Sequence, residues 1–329
     1  MKLLVTGGAG YIGSHVTRQL AAAGHEVVVF DNLSTGKAHA VIGAELVVGD
    51  LADGAMLDAL FARDAFDAVL HFAASIVVPE SVLDPLKYYA NNTGNMLNLL
   101  ERVATHNVRH VVFSSTAAVY GMPAVAQVSE QTPLAPINPY GASKMMSERL
   151  LADLAHARAS LSYVALRYFN VAGADPQARI GQETPDATHL IKVACQAALG
   201  RREGVDIFGT DYATPDGTCI RDYIHVEDLA QAHLDALDYL AAGGESATLN
   251  CGYGHGASVR EVLATVQQVT GIDFAVREAA RRAGDPPHLV AANARIREVL
   301  GWQPQWDDLR TIVAHAWAWE QHLATRSQA

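Results

Sequence analysis

The sequence predicts an α/β protein, a doubly wound parallel sheet carrying a smaller mixed α/β lobe. Two observations lead there. Through the first half of the chain, short apolar runs of strand length alternate with helix-length stretches and short loops, the pattern of strands joined by helical crossovers in a parallel sheet. The first of those runs breaks into Gly7, Gly10 and Gly13, spaced three apart, where helix-like sequence begins.

Lys2-Leu3-Leu4-Val5-Thr6 is the first strand. Gly7 lets the backbone turn without a Cβ clash, Gly10 lets it approach a ligand, and Gly13 lets the helix pack on the strand. The main-chain N–H groups at the helix start face this loop, where a pyrophosphate would sit. The helix runs to about Ala23, before Gly24. The second strand, Glu26 to Phe30, ends in Asp31-Asn32. An acid at this distance beyond the glycines can accept both ribose hydroxyls and would repel a 2′-phosphate, so the pattern selects NAD over NADP. The alternative for Asp31 is a loop N-cap. Strand before, helix after and Asp31 downstream together make this a Rossmann dinucleotide fingerprint.

A third strand, Glu45 to Gly49, leads to Asp50-Leu51, and a helix spans Asp53 to Arg63. The fourth strand, Asp67 to Phe72, runs into Ala73-Ala74-Ser75, small residues that let a cofactor lie against the backbone. One long helix from about Pro85 to Asn107 and a strand from Val108 to Ser114 follow. All the features noted so far fall at carboxyl ends of strands, where parallel sheets bind ligands. The Pro-rich stretch Gly121 to Pro139 is a loop, a helix runs from Pro139-Tyr140 to about Arg158, and Ser162 to Tyr168 is another strand. Beyond Asn170 glycine and proline become frequent and the elements shorten. Residues 1–170 are therefore expected to form the NAD-binding domain. Residues 171–329 are expected to form mainly a substrate-binding lobe, with some segments returning to the core.

Half of the 329 residues are apolar and 18% are charged, an ordinary globular balance. A net charge of −11 argues against nucleic acid and anionic membranes as partners, and an anionic ligand would need local arginines. Cys195, Cys219 and Cys251 share no metal-ligand spacing and read as buried free thiols. The fourteen histidines show no HExxH pattern, so no metal site is expected. No apolar stretch reaches membrane-span length, and the N-terminus reads as a strand rather than a signal, so the expected compartment is the cytoplasm.

Tyr140 and Lys144 are four apart on one predicted helix and so share a face. A free phenol titrates near ~10, too high for a base at neutral pH. A nearby ammonium favours phenolate, and the positive nicotinamide of NAD⁺ would push the same way. A hydroxyl within Ser114-Ser115-Thr116 can share the substrate's proton. Alone, YxxxK is a helix with a surface lysine, but behind a dinucleotide loop it reads as catalytic.

The stretches VTGGAGYIGSH, VVFSSTAAVYG, NPYGASK, LRYFNVAGA, IFGTDYATPDGTCIRDYIHVEDLA and RRAGDP resemble the extended short-chain dehydrogenase/reductase family. Within it they are most similar to the UDP-galactose 4-epimerase branch, and the resemblance covers nearly all of the chain. The glycine loop and YxxxK mark the superfamily, whereas the block Ile207 to Ala230 marks the branch. The resemblance implies an NAD-dependent 4-epimerase interconverting UDP-galactose and UDP-glucose through a transient 4-keto sugar. Tyr140 would be the acid/base, Lys144 its electrostatic and ribose partner, and Thr116 would stand where many relatives carry serine. NAD would be lined by Gly7, Gly10, Tyr11, Ile12, Gly13, Asp31, Asn32, Asp50, Leu51, Phe72, Ala73, Ala74, Asn91, Ser114, Tyr140, Lys144 and Tyr168. The UDP-sugar would meet Thr116, Tyr140, Asn170, His189, Leu190, Ile207, Phe208, Arg221, Arg282 and Asp285. Without the family, Arg221 reads equally well as an ion-pair partner of Asp222 or Asp228. A homodimer is implied too, pairing the helix around Asn92 to Thr105 with the one starting near Tyr140.

Two positions depart from the pattern. Ile76 stands where some relatives place a lysine near the nicotinamide, and Leu289 stands where sugar size is limited. Epimerisation of another UDP-sugar, such as UDP-N-acetylgalactosamine, UDP-glucuronate or UDP-xylose, is the alternative. A dehydratase would need Asp-Glu after Thr116, where Ala117-Ala118 stand. A non-catalytic NAD-sensing module could lose Tyr140 or Lys144, and both are present.

Overall fold

Runs of β-branched and apolar residues make the central strands, which are buried on both faces. The computed structural model describes residues 1–184, 187–282 and 284–326. In chain order the strands are β1 (Lys2–Thr6), β2 (Glu26–Asp31), β3 (Glu45–Val48), β4 (Ala68–His71), β5 (His110–Thr116), β6 (Gln127–Val128) and β7 (Ser162–Tyr168). There follow β8 (Asn170–Ala172), β9 (Val205–Phe208), β10 (Ile220–Arg221), β11 (Tyr223–His225), β12 (Ala247–Cys251), β13 (Ala257–Ser258), β14 (Val276–Ala279) and β15 (His288–Ala291). The helices are α1 (Tyr11–Ala22), α2 (Gly54–Arg63), α3 (Val78–Leu83), α4 (Pro85–Tyr88), α5 (Asn95–Thr105) and α6 (Pro139–Ala157). The second half adds α7 (Leu190–Ala198), α8 (Val226–Ala241), α9 (Val259–Thr270), α10 (Ala294–Leu300) and α11 (Leu309–Arg326).

Seven strands form one parallel sheet in the order β12-β7-β5-β4-β1-β2-β3. The order reverses between β1 and β4, which is where ligands bind in such sheets. Side chains alternate faces along each strand. Leu3 and Val5 of β1 join the core under α1 and α8, whereas Leu4 faces the opposite core with Leu57, Phe61, Met96 and Leu99. Met96, Leu99, Leu100 and Val103 recur at helical spacing and seat α5 on that second face.

The second half does not form a separate body. Its strand β12 pairs with β7 from Ala247↔Val164 to Cys251↔Tyr168, and α8 packs against α1. The remaining segments, joined by β6 from the first half, build the lobe over the carboxyl ends of the main sheet. It consists of a four-stranded sheet, β13-β10-β15-β6, and the pairs β8-β11 and β9-β14. Residues 327–329, the end of the expected second span, lie outside the described residues.

Two local expectations differ from the observed structure, and one short helix lies in a stretch given no assignment from sequence. The helix from Pro85 to Asn107 is interrupted: between α4 and α5 residues Tyr89–Gly94 form a π turn. The extra residue swings Asn92 inward, where its amide bonds Ser75 N–H, Ser75 O and Ser143 Oγ at 2.8, 3.0 and 3.0 Å. The stretch Val78–Leu83 is helical, and β6 lies inside the Pro-rich stretch, pairing with β15. The start of α6 follows the sequence closely. Pro139 occupies its first turn, and Asn138 caps it by accepting Gly141 N–H at 2.8 Å.

Candidate active site

A single cavity of about 800 Å³ runs along the carboxyl ends of β3, β2, β1, β4, β5 and β7 and under the lobe. At one end it is lined by Gly7, Gly10, Tyr11, Ile12, Gly13, Asp31, Asn32, Asp50 and Leu51. Gly7 has φ +72°, and a Cβ there would lie 2.4 Å from Ala73 N. A Cβ on Gly13 would lie 2.3 Å from Gly7 O, so the turn closes only without side chains. The first bond of α1 runs from Ser14 N–H to Gly10 O at 2.9 Å. The preceding N–H groups at the helix start thus have no acceptor within the helix, an arrangement suited to a phosphate. Asp31 is buried at the end of β2 and holds the loop from both oxygens: Oδ2 accepts Ala9 N–H at 3.0 Å and Oδ1 accepts Leu33 N–H at 2.8 Å. Each oxygen keeps a lone pair for a ribose hydroxyl. Asn32 Nδ2 donates to Asp50 Oδ2 at 2.8 Å and ties the ends of β2 and β3 together.

Midway along the cavity stand Phe72, Ala73, Ala74, Asn91, Ser114, Thr116, Tyr140, Lys144 and Tyr168. The Tyr140 phenol and the Thr116 hydroxyl are neighbours on the cavity wall. Lys144 Nζ donates to Ser114 O at 2.9 Å and lies over the Phe113 ring at 5.0 Å. Ser114 Oγ is bonded in turn to the Tyr168 hydroxyl. Burial pulls the Lys144 ammonium down to about 7, opposed by the Glu148 carboxylate. The Tyr140 phenol is pushed up by burial, opposed by the neighbouring Thr116 hydroxyl. Burial governs the phenol, and the lowering expected from Lys144 is not among the influences on it.

The model of the NAD dependent epimerase/dehydratase family matches residues 3–252. The chain belongs to this family. UDP-glucose 4-epimerase of Azospirillum brasilense is 58% identical over 98% of this chain and 92% of its own length. The structure of UDP-glucose 4-epimerase from Brucella ovis in complex with NAD is 47% identical, covers 96% of this chain and 97% of its own, and superposes with a TM-score of 0.94. That of the UDP-Glc/GlcNAc 4-epimerase from Campylobacter jejuni is 51% identical, covers 98% and 99%, and has a TM-score of 0.87.

NAD is the cofactor of the NAD dependent epimerase/dehydratase family, and the residues present fit it. The glycine turn leaves main-chain N–H groups open to a pyrophosphate, the Asp31 carboxylate can accept ribose hydroxyls, and Lys144 and Tyr140 stand where the cavity passes β5. Among the described residues there is no group of three or more metal-ligating side chains and no helix long and apolar enough to cross a membrane.

The far end of the cavity is lined by Asn170, His189, Arg221 and Asp285, with Phe169, Gln182, Thr184 and Leu289 beside them. Arg221 Nη2 donates to Asp285 Oδ1 at 3.0 Å, so its ion-pair partner is neither Asp222 nor Asp228. Asp222 is wholly buried and accepts the N–H groups of Tyr253, Gly254 and Ala291. Asp228 accepts Tyr253 OH and the N–H groups of Gln305 and Trp306.

Four of the residues assigned to the sugar nucleotide from sequence are not on the cavity wall. Ile207 is 1% exposed and belongs to the main core. Its neighbour Phe208 points to the other side of β9, where the Arg282 guanidinium lies over its ring at 3.6 Å. Leu190 borders a separate small cavity behind the wall. Conversely, Phe169, Gln182 and Thr184 line the cavity without having been singled out. Phe169 follows Tyr168 at a strand end, a usable signal. Gln182 and Thr184 lie in irregular chain with no periodicity to read.

Proposed function

We propose that the protein is an NAD-dependent 4-epimerase that interconverts UDP-galactose and UDP-glucose. The observation that carries this reading is the continuity of one cavity. It joins the glycine cradle, the Tyr140–Thr116 pair with Lys144, and the cation of Arg221 with Asn170 and His189. The chemistry that NAD supplies there is reversible acceptance of the hydride from sugar C4. Tyr140 Oη takes the proton of the 4-hydroxyl and later returns it, with Thr116 Oγ1 sharing that proton. The Lys144 ammonium stabilises the phenolate and holds the nicotinamide ribose. Arg221 grips the pyrophosphate, which guanidinium recognises bidentately.

Between the two proton transfers the 4-keto sugar must present its other face. A firm hold on UDP and a smooth wall around the hexose allow this without release. Phe169 and Leu289 supply such a wall. Ala117 and Ala118 also line the cavity beside Thr116 and carry no acid or base for C5 and C6, so the site is not that of a dehydratase.

The working unit is a homodimer in which α5 and α6 of two copies pair. Leu97 and Met146 on these helices are exposed, as are Leu83 and Leu86 on the neighbouring α3 and α4. Light scattering is expected to give twice the chain mass, and a monomer at micromolar concentration overturns this. The compartment is the cytoplasm, in keeping with three free, buried cysteines.

The test is a substrate panel of UDP-galactose, UDP-N-acetylgalactosamine, UDP-glucuronate and UDP-xylose, each scored for 4-inversion. UDP-galactose is expected to turn over fastest. The reading fails if UDP-galactose is not converted, or if a Tyr140→Phe variant converts it as well as the parent.

A further inference from the structure

Gln182 and His189 reach the cavity from chain that is neither strand nor helix, so something else must fix them. The Gln182 carbonyl accepts two hydrogen bonds, from Lys192 Nζ at 2.7 Å and from Trp319 Nε1 at 3.3 Å. Lys192 lies on α7 and pairs with Glu320 of α11, and both side chains are buried. Gly181 packs on the face of Trp319, where a Cβ would lie 2.5 Å from the indole ring. The last described helix therefore backs this part of the cavity wall with a carboxylate and an indole, and α7 adds the cation between them.

The other end of Gln182 acts on His189. Its Nε2 donates to His189 Nδ1 at 2.7 Å. A ring nitrogen that accepts a hydrogen bond carries no proton, so neutral His189 bears its hydrogen on Nε2. Burial and the Lys192 charge both push the imidazolium pKa down, which keeps the ring neutral. Among the described residues Nε2 has no hydrogen-bond partner, and it is not a buried orphan either. It is a donor on the wall of the cavity.

We infer that Lys192 and Glu320 are positioning residues for substrate recognition: by fixing Gln182 they hold His189 as an Nε2–H donor to an acceptor oxygen of the bound nucleotide sugar. This rests on the epimerase reading for the identity of the ligand, but not for the state of the ring. A lysine–glutamate pair that lies in none of the family motifs would thereby set the hydrogen-bonding sense of the site. Were it only a core ion pair, its loss would lower stability and leave the imidazole tautomer alone.

The experiment has two arms. Nitrogen-15 NMR of the full-length protein, with a His189→Ala variant to assign the signal, reads the tautomer without substrate. The parent is expected to show His189 protonated on Nε2 alone. Gln182→Leu, and a Lys192→Met/Glu320→Leu double variant that removes the pair as a unit, are expected to show a mixture of tautomers. Kinetics with UDP-galactose form the second arm. Gln182→Leu is expected to raise KM about tenfold with a smaller effect on kcat, as loss of a supporting hydrogen bond does elsewhere. Added to His189→Ala, it is expected to cost nothing further, because it acts through that ring. Proton on Nδ1 in the parent overturns the inference, as do unchanged tautomers in both variants or fully additive losses. A parent that converts no UDP-sugar overturns the epimerase reading instead, and the NMR arm still decides the role of Lys192 and Glu320.

Discussion

At the dinucleotide end of the cavity the walls are main chain and short side chains fixed to strand ends. At the sugar-nucleotide end they are longer side chains held by other side chains. Gly7, Gly13 and Ala73 touch backbone to backbone, and Asp31 is clamped by two N–H groups. Arg221, by contrast, leans on Asp285 across 3.0 Å, and His189 is oriented by Gln182. The first arrangement has almost no conformational freedom to lose on binding, whereas the second can rearrange at the cost of an exposed or half-buried contact. A site that keeps its cofactor while its substrate turns over calls for that division.

The comparison can be broken most strongly at the point where the two ends meet. Tyr140→Phe is expected to lower kcat by about 10³-fold while leaving NAD bound, the effect of removing a positioned acid–base group. Stopped assays with UDP-galactose and the absorbance of the purified protein check the two halves of that statement. At the rigid end, Gly7→Ala adds a methyl 2.4 Å from Ala73 N at a positive φ, and nothing there can yield. A loss of about 3 kcal/mol in stability, with NAD absent after purification, is expected from calorimetry and cofactor release. An equally rigid sugar end would answer an Arg221→Met change as severely. We expect only about a tenfold rise in KM, because Asp285 is left solvent-accessible rather than buried and uncompensated.

Acid sharpens the contrast from a different side. His71 sits behind the cradle with its Nδ1 2.6 Å from Thr6 Oγ1, and burial lowers its pKa to about 3. His225, at the seam between lobe and sheet, is lowered to about 3 by burial and by His315. In both cases the unfolded chain takes up a proton near pH ~6.5 while the folded chain stays neutral. Stability is therefore complete above that pH and declines as pH falls toward 3. At pH 5 the loss is on the order of 2 kcal/mol for each ring. Calorimetry between pH 7.5 and 5 is expected to show a falling Tm, and a flat Tm over that range means the rings titrate in the folded state. His233, lowered to about 4 by burial, contributes alongside these two, so replacing His225 is expected to flatten the curve by about a third.

The same contrast governs what could be read without coordinates. Strand ends are legible because an apolar run followed by glycine, aspartate or alanine states its own boundary. Every residue assigned to the dinucleotide from sequence lines the cavity. The interruption of the helix at Tyr89–Gly94 was not legible, because one inserted residue leaves the 3.6-residue pattern nearly intact. Ile207 and Phe208 sit inside a long matching block, yet alternation along β9 sends one to the core and the other beneath Arg282. The partner of Arg221 lies 64 positions downstream and could not be chosen from its nearer acidic neighbours. Gln182 is the clearest omission. What recruits it to the wall is a carbonyl bonded by Lys192 and Trp319, and main-chain acceptors carry no signature in a sequence.

The place of β12 in the sheet has a consequence for how the protein is made. Six of the seven main strands are finished once residue 168 has been synthesised, but β7 then forms the border of the sheet, with its outer hydrogen-bonding groups unpaired. Its partner arrives only with Ala247–Cys251. Asn250 on that late strand also accepts the Tyr120 hydroxyl at 2.6 Å, and Tyr120 in turn meets Arg167 and, through it, Glu148. A nascent chain stalled between these points presents an open, apolar β-edge to its neighbours on the same messenger. Translation speed across residues 169–251 thus bears on the yield of folded protein, and slow codons in that interval are expected to increase dependence on chaperones.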